Sequence, residues 1–110
     1  MLAILSALAE PNRFRIVELL QSGPQPVGDI AISLGLRQPQ TSKHLNILRE
    51  AGLVTATPDA QRRVYELRPQ ALMDLDQWLA PYRRFWVRRL DALERRLDEM
   101  SDPIQDEEET

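Results

Sequence analysis

Arg37-Gln-Pro-Gln-Thr-Ser-Lys-His-Leu-Asn-Ile-Leu-Arg-Glu-Ala-Gly-Leu-Val54 decides the fold. On a helix of 3.6 residues per turn, Thr41, Leu45 and Leu48 fall in one narrow stripe, while Pro39, Ser42, Lys43 and Asn46 project from the opposite side. The stripe anchors the helix and leaves the other face free. That face carries one Lys and no carboxylate before Glu50, so its N-terminal half can approach a polyanion closely. Gln38, Gln40, Ser42, Lys43 and Asn46 supply donors and acceptors suited to base edges or phosphates. An ordinary solvated helix has a similar composition, so the helix by itself leaves both readings open.

The flanking sequence narrows the choice. Upstream, Leu2, Leu5 and Ala9 make a short apolar helix that ends near Glu10, because the residue before Pro11 is pushed out of helical geometry. Pro11 opens a second helix with Phe14, Ile16, Val17 and Leu20 on its buried face, closed by Gln-Ser-Gly-Pro-Gln-Pro at 21–26. Val27, Ile30, Ala31 and Leu34 then recur at the spacing of a third helix, and Leu34-Gly35-Leu36 makes a tight connection. A helix, a Gly-containing turn and a polar-faced helix form a helix-turn-helix, in which the second helix enters the major groove.

Downstream, Leu53–Thr57 and Arg62–Leu67 are rich in β-branched and aromatic residues, and Pro58-Asp59-Ala60-Gln61 joins them as a hairpin loop. Arg62 and Arg63 sit at its tip. A hairpin directly after a recognition helix can lie along the DNA backbone or minor groove, where guanidinium groups meet phosphate. Solvated turn charges are the plainer alternative, and the preceding helix favours the DNA role. The expected fold is mainly α with a small β-hairpin.

Composition sets the outer limits. The 110 residues, 43% hydrophobic, suit one modest core. Without cysteine there are no disulfides, thiolate ligands or thiol nucleophiles. No run reaches the length of a membrane span, and Met1-Leu2-Ala3-Ile4-Leu5 lacks the basic flank of a signal peptide, so a cytoplasmic protein without membrane contact is expected. The net charge of −3 hides a division. Residues 1–98 hold all 14 Lys and Arg against 11 Asp and Glu, whereas residues 99–110 hold six carboxylates and no base. The body at 1–98 is therefore read as a basic folded domain, and 99–110 as an acidic, disordered, solubilising tail.

These segments together resemble the ArsR family of winged helix-turn-helix repressors over about residues 3–98. The resemblance rests on Ala7-Leu-Ala-Glu-Pro-Asn-Arg-Phe-Arg-Ile16, Val27-Gly-Asp-Ile-Ala31, Gln38-Pro-Gln-Thr-Ser-Lys-His-Leu45, Leu48-Arg-Glu-Ala-Gly-Leu-Val54 and Arg62-Arg-Val-Tyr-Glu-Leu67, in the family's order. It implies a homodimer that binds a partly palindromic double-stranded operator and blocks transcription. Residues 38–50 would lie in the major groove and residues 54–67 would form the wing. Gln38, Pro39, Gln40, Ser42 and Lys43 would face the groove, with Asn46 on the same helix face and Arg62 and Arg63 in the wing. His44 holds the family's Ser-x-His-Leu position, where the wheel favours packing or a backbone hydrogen bond over base readout.

The chain departs from the family twice. Arg37 stands where a helix-capping Ser is common, a weaker cap by about 1 kcal/mol. The Cys-x-Cys pair of metal-responsive members becomes Pro26-Val27-Gly28, and the last helix has no His. Soft and borderline metals need such ligands, so no metal cofactor and no arsenite sensing are expected.

From Leu72 the apolar positions 72, 75, 79, 82, 86, 90, 93, 97 and 100 form a near-heptad stripe longer than a small monomer can cover. Pairing with a second copy, assisted by Leu5, makes Leu79, Tyr82, Trp86, Leu90, Leu93 and Leu97 the dimerisation residues of a long C-terminal helix. Pro81 should bend this helix or split it near 80. Trp78, Tyr82, Phe85 and Trp86 crowd four of six aromatics into nine residues, either as interface packing or as an effector pocket between subunits. Effector identity stays open, and control by expression level alone fits the missing ligand residues. A winged-helix protein-interaction module is the rival of a DNA-binding regulator. An enzyme is not expected, because no nucleophile-base set or phosphate-binding Gly loop is present.

Overall fold

The computed structural model describes residues 1–109, with side chains through Met100. The elements run α1 (Leu2–Leu8), α2 (Pro11–Leu19) with a 3-10 turn (Leu20–Ser22), β1 (Gln25–Pro26), α3 (Val27–Leu34), α4 (Gln38–Glu50), β2 (Val54–Asp59), β3 (Arg62–Leu67) and α5 (Pro69–Glu109). Residues 1–76 make one compact unit, and residues from 77 onward make a second. The expected acidic tail lies, from residue 101, outside the residues whose side chains are described.

In the first unit the core gathers Ile16, Ile30, Leu45, Leu48, Leu53 and Val54, all buried, with Ile4, Ala7, Leu20 and Tyr65 closing around them. Thr41, Leu45 and Leu48 are the buried residues of α4, as the stripe predicts. Thr41 keeps its hydroxyl satisfied by donating to the Arg37 carbonyl at 2.9 Å, which meets the requirement that buried polar groups be paired. On α2 the structure corrects the expected face. Ile16, Val17 and Leu20 are buried, whereas Phe14 is 51% exposed. At 100° per residue Phe14 lies roughly 110° around the helix from the mid-line of the other three, too far to share their core.

Two helix ends determine the path of the chain, and both end on glycine. Gly35 has φ 67°, its N–H reaches the Ile32 carbonyl, and the Leu36 N–H reaches Ala31. Gly52 has φ 80° and repeats the pattern, with Gly52 N–H to Arg49 and Leu53 N–H to Leu48. These are Schellman closures, which need a left-handed residue that glycine adopts without a Cβ penalty. The first turns the chain into α4; the second turns it into β2.

Arg13 joins the first two helices. Its Nε donates to the Ala7 carbonyl at 2.7 Å and its Nη2 to Ser6 at 3.3 Å, so the open C-terminal carbonyls of α1 find donors. Its backbone N–H donates to Glu10 Oε2 at 2.8 Å, making Glu10 the N-cap of α2.

The sheet is antiparallel in the order β1-β3-β2. Its third strand, β1, was not expected from sequence. β3 spans Arg62–Leu67 as expected, and β2 runs on to Asp59, since Pro58 and Asp59 pair with Arg63 and Arg62, leaving a two-residue turn at Ala60-Gln61. β2 is an edge strand, where a proline removes no interior ladder bond. Ala60 takes φ 56°, the positive φ that two-residue hairpin turns require.

Of the bend or split expected at Pro81, the split does not occur: α5 runs through it from Pro69. The ring removes the bond to the Gln77 carbonyl, and in the same turn the Trp78 and Tyr82 rings are in tilted contact with centroids 5.1 Å apart. No helix among the described residues is long and apolar enough to cross a membrane.

Candidate nucleic-acid interface

α4 carries no side-chain cap at its N-terminus; Arg37 is the N-cap residue and Pro39 occupies the first turn. The unpaired amides of that first turn and the positive end of the helix dipole therefore stay open to an anion. Gln38, Pro39, Gln40, Lys43 and Asn46 are exposed and Ser42 is half-buried, so the face opposite the buried stripe is solvent-facing along its N-terminal half.

A groove of about 450 Å³ runs between α4, the hairpin and the start of α3. Its walls include Gln38, Ser42 and Asn46 from α4 and Arg62 and Arg63 from β3. Five of the eight residues singled out from sequence thus share one concavity, although 16 positions separate Asn46 from Arg62. Pro39, Gln40 and Lys43 are on the exposed helix face but not among the groove's lining residues.

The pairing of β1 with β3 completes this groove. Gln25 stands opposite Tyr65 and Pro26 opposite Val64, which brings Val27, Gly28 and Asp29 at the start of α3 against the wing. A Cβ added at Gly28 would meet Gln38 Oε1 at 3.8 Å, an ordinary contact. These α3 residues, together with Gln61 and Tyr65, were missed by sequence reasoning. A two-residue strand that follows Pro24 and itself contains Pro26 has no periodicity to detect.

His44 is turned away from the groove. Its side chain is 14% exposed, its Nδ1 lies 3.7 Å from Glu10 Oε2, and neither ring nitrogen has a hydrogen-bond partner. The expected packing role is met against a carboxylate at the head of α2; no backbone bond forms.

In the second unit the apolar stripe stands open: Leu90, Leu93 and Leu97 are 59%, 51% and 55% exposed. Tyr82 and Trp86 are also exposed and Leu79 is half-buried; in the first unit Leu5 is half-buried too. Of the candidate effector residues, Trp78 and Tyr82 are in tilted ring contact, and the Arg89 guanidinium lies 4.7 Å over the Phe85 ring. All four aromatics, Trp86 included, are exposed to solvent.

Chemically, the groove offers two guanidinium forks, amide and hydroxyl groups, and the open N-terminus of α4. That set suits the phosphates and base edges of a duplex. The comparisons with known proteins agree with this geometry. A family model described as "Bacterial regulatory protein, arsR family" matches residues 10–56. The HTH-type transcriptional regulator Rv2034 of Mycobacterium tuberculosis is 41% identical over 96 residues, covering 87% of each chain. The transcriptional repressor SdpR of Bacillus subtilis is 33% identical over 69% of this chain and 84% of its own. The homodimeric winged helix-turn-helix DNA-binding domain Mb0332 of Mycobacterium bovis, a solution structure, superposes with a TM-score of 0.62 at 30% identity, covering 72% of this chain and 76% of that one. A helix-turn-helix of this geometry, its flanking hairpin and these relatives lead to one conclusion: the chain belongs to the ArsR family of bacterial transcriptional regulators, with their winged helix-turn-helix fold.

Proposed function

We propose that the chain is a homodimeric repressor that acts in the cytoplasm on a partly palindromic operator. α4 enters the major groove through Gln38, Pro39, Gln40, Ser42, Lys43 and Asn46, while Arg62 and Arg63 hold the adjacent backbone or minor groove. The observation that carries this reading is the shared groove, in which the polar face of α4 and the wing arginines converge. Repression draws on the likeness to SdpR, and self-association on the likeness to the homodimeric Mb0332 domain. A chain without cysteine and with a single histidine also supports regulation that does not depend on thiolate-bound metal.

The direct test is a fluorescence-anisotropy titration against the DNA upstream of its own gene and against a scrambled duplex, at two salt concentrations. Selective binding that weakens as salt rises is expected. Lys43→Ala should weaken binding about tenfold and reduce the salt slope by about one, with the thermal midpoint unchanged because Lys43 is exposed. Unaltered affinity in that variant would remove α4 from the groove-facing role.

Self-association through α5 follows from its open stripe. Introducing a charge with Leu93→Glu at a half-exposed position should leave the fold of residues 1–76 intact and convert the dimer to monomer in sedimentation at micromolar concentration. A dimer that persists unchanged would move the interface elsewhere.

A further inference from the structure

We propose that Asp29 is a specificity-determining residue of the DNA groove, a role that rests on the repressor reading above. Asp29 is the one carboxylate among the residues lining the groove, which it shares with Gln38, Arg62 and Arg63. It is exposed and sits in the first turn of α3. A helix this well anchored, with Ile30 and Ala31 buried in the next two positions, holds the carboxylate at the wall.

A carboxylate in a phosphate-binding groove repels every duplex to a similar degree. The difference between duplexes arises when Asp29 finds a donor. A base amino group, such as the cytosine N4 in the major groove, can be accepted by a carboxylate, and this charge-assisted bond offsets the repulsion. On unmatched DNA no such donor is aligned, and the anion faces phosphate oxygens unpaired. Asp29 thus weakens unmatched binding more than operator binding. The acidic residues of the hairpin do not share this placement: Asp59 and Glu66 line a separate depression with Pro24 and Thr57.

The test compares wild type, Asp29→Asn and the control Glu18→Gln on the upstream and scrambled duplexes. Glu18 is exposed and does not line the groove, so its substitution removes the same formal charge elsewhere. Asp29→Asn should tighten binding to the scrambled duplex about fivefold and to the operator by less than about twofold, lowering the selectivity ratio. Glu18→Gln should leave that ratio unchanged. Thermal midpoints report the separate contribution of Asp29 to the helix terminus, which would move stability without moving the ratio. Equal tightening on both duplexes, or no change on either, overturns the role of Asp29 while leaving the repressor reading in place. A wild type that binds both duplexes equally overturns the repressor reading and this role with it.

Discussion

Leu45→Ala is expected to destabilise the chain by about 3 kcal/mol, within the 2–5 kcal/mol typical of fully buried leucines. Leu45 has no exposed surface and lies between Thr41 and Leu48 on the only face of α4 that meets the core. Truncation removes apolar burial and leaves a cavity that the α2 and α3 contacts around it cannot fully close. A domain of this size should lose about 10 °C or more in thermal midpoint. Urea unfolding monitored by circular dichroism measures the loss as a lower midpoint at unchanged slope. DNA affinity should fall in step with the unfolded fraction, and at low temperature it should recover. A loss below about 1 kcal/mol would mean that α4 is not held by this stripe.

The paired substitution of Arg62 and Arg63 by alanine is expected to weaken DNA binding about a hundredfold, with little change in stability. Both side chains are exposed, so the fold does not depend on them. Each removes one charge from the groove, and the slope of log affinity against log salt should flatten by about two. Replacing both with lysine separates two contributions. Lysine keeps the charge but lacks the planar fork, so the salt slope should return while part of the affinity stays lost. Weakening of equal size on operator and scrambled DNA would assign the arginines to phosphate; a larger loss on the operator would assign them to a narrow minor groove. Unchanged affinity at both salts would take the wing out of the interface.

The two substitutions act on opposite sides of α4, and the contrast explains why the helix could be read from sequence. Its buried side is three residues at helical spacing, its other side is polar, and its two boundaries are glycines in left-handed turns at positions 35 and 52. All of these are local signals, since helical periodicity and C-terminal closure involve residues within five positions of one another. The alternation in Val64–Leu67 similarly marks β3, whose Tyr65 is buried while Glu66 is exposed.

Where the sequence misled, neighbouring apolar residues competed for a core they could not all reach, or the deciding partner was remote. Phe14 looked like a core residue beside Val17, but its angle on α2 points it outward. Pro58 looked like a loop residue, yet an edge position in β2 has no ladder bond for proline to break. Pro81 looked like a bend or a break, and α5 continues through it without a break.

The sequence by itself determined the order of the helices and the hairpin, the buried stripe of α4, the polar face opposite it and the arginines of the hairpin, because each depends on residues close in the chain. Only the tertiary structure decided the groove. Gln25 and Pro26 become a strand solely because β3 lies alongside to accept them, a pairing across about forty residues. That pairing moves the start of α3 to the wing, and it is what places Asp29 among groups that sequence reading had assigned to DNA without it. Hydrogen-bond pairing between distant strands leaves no periodic trace in either partner, so the wall it builds becomes visible only once the chain is folded.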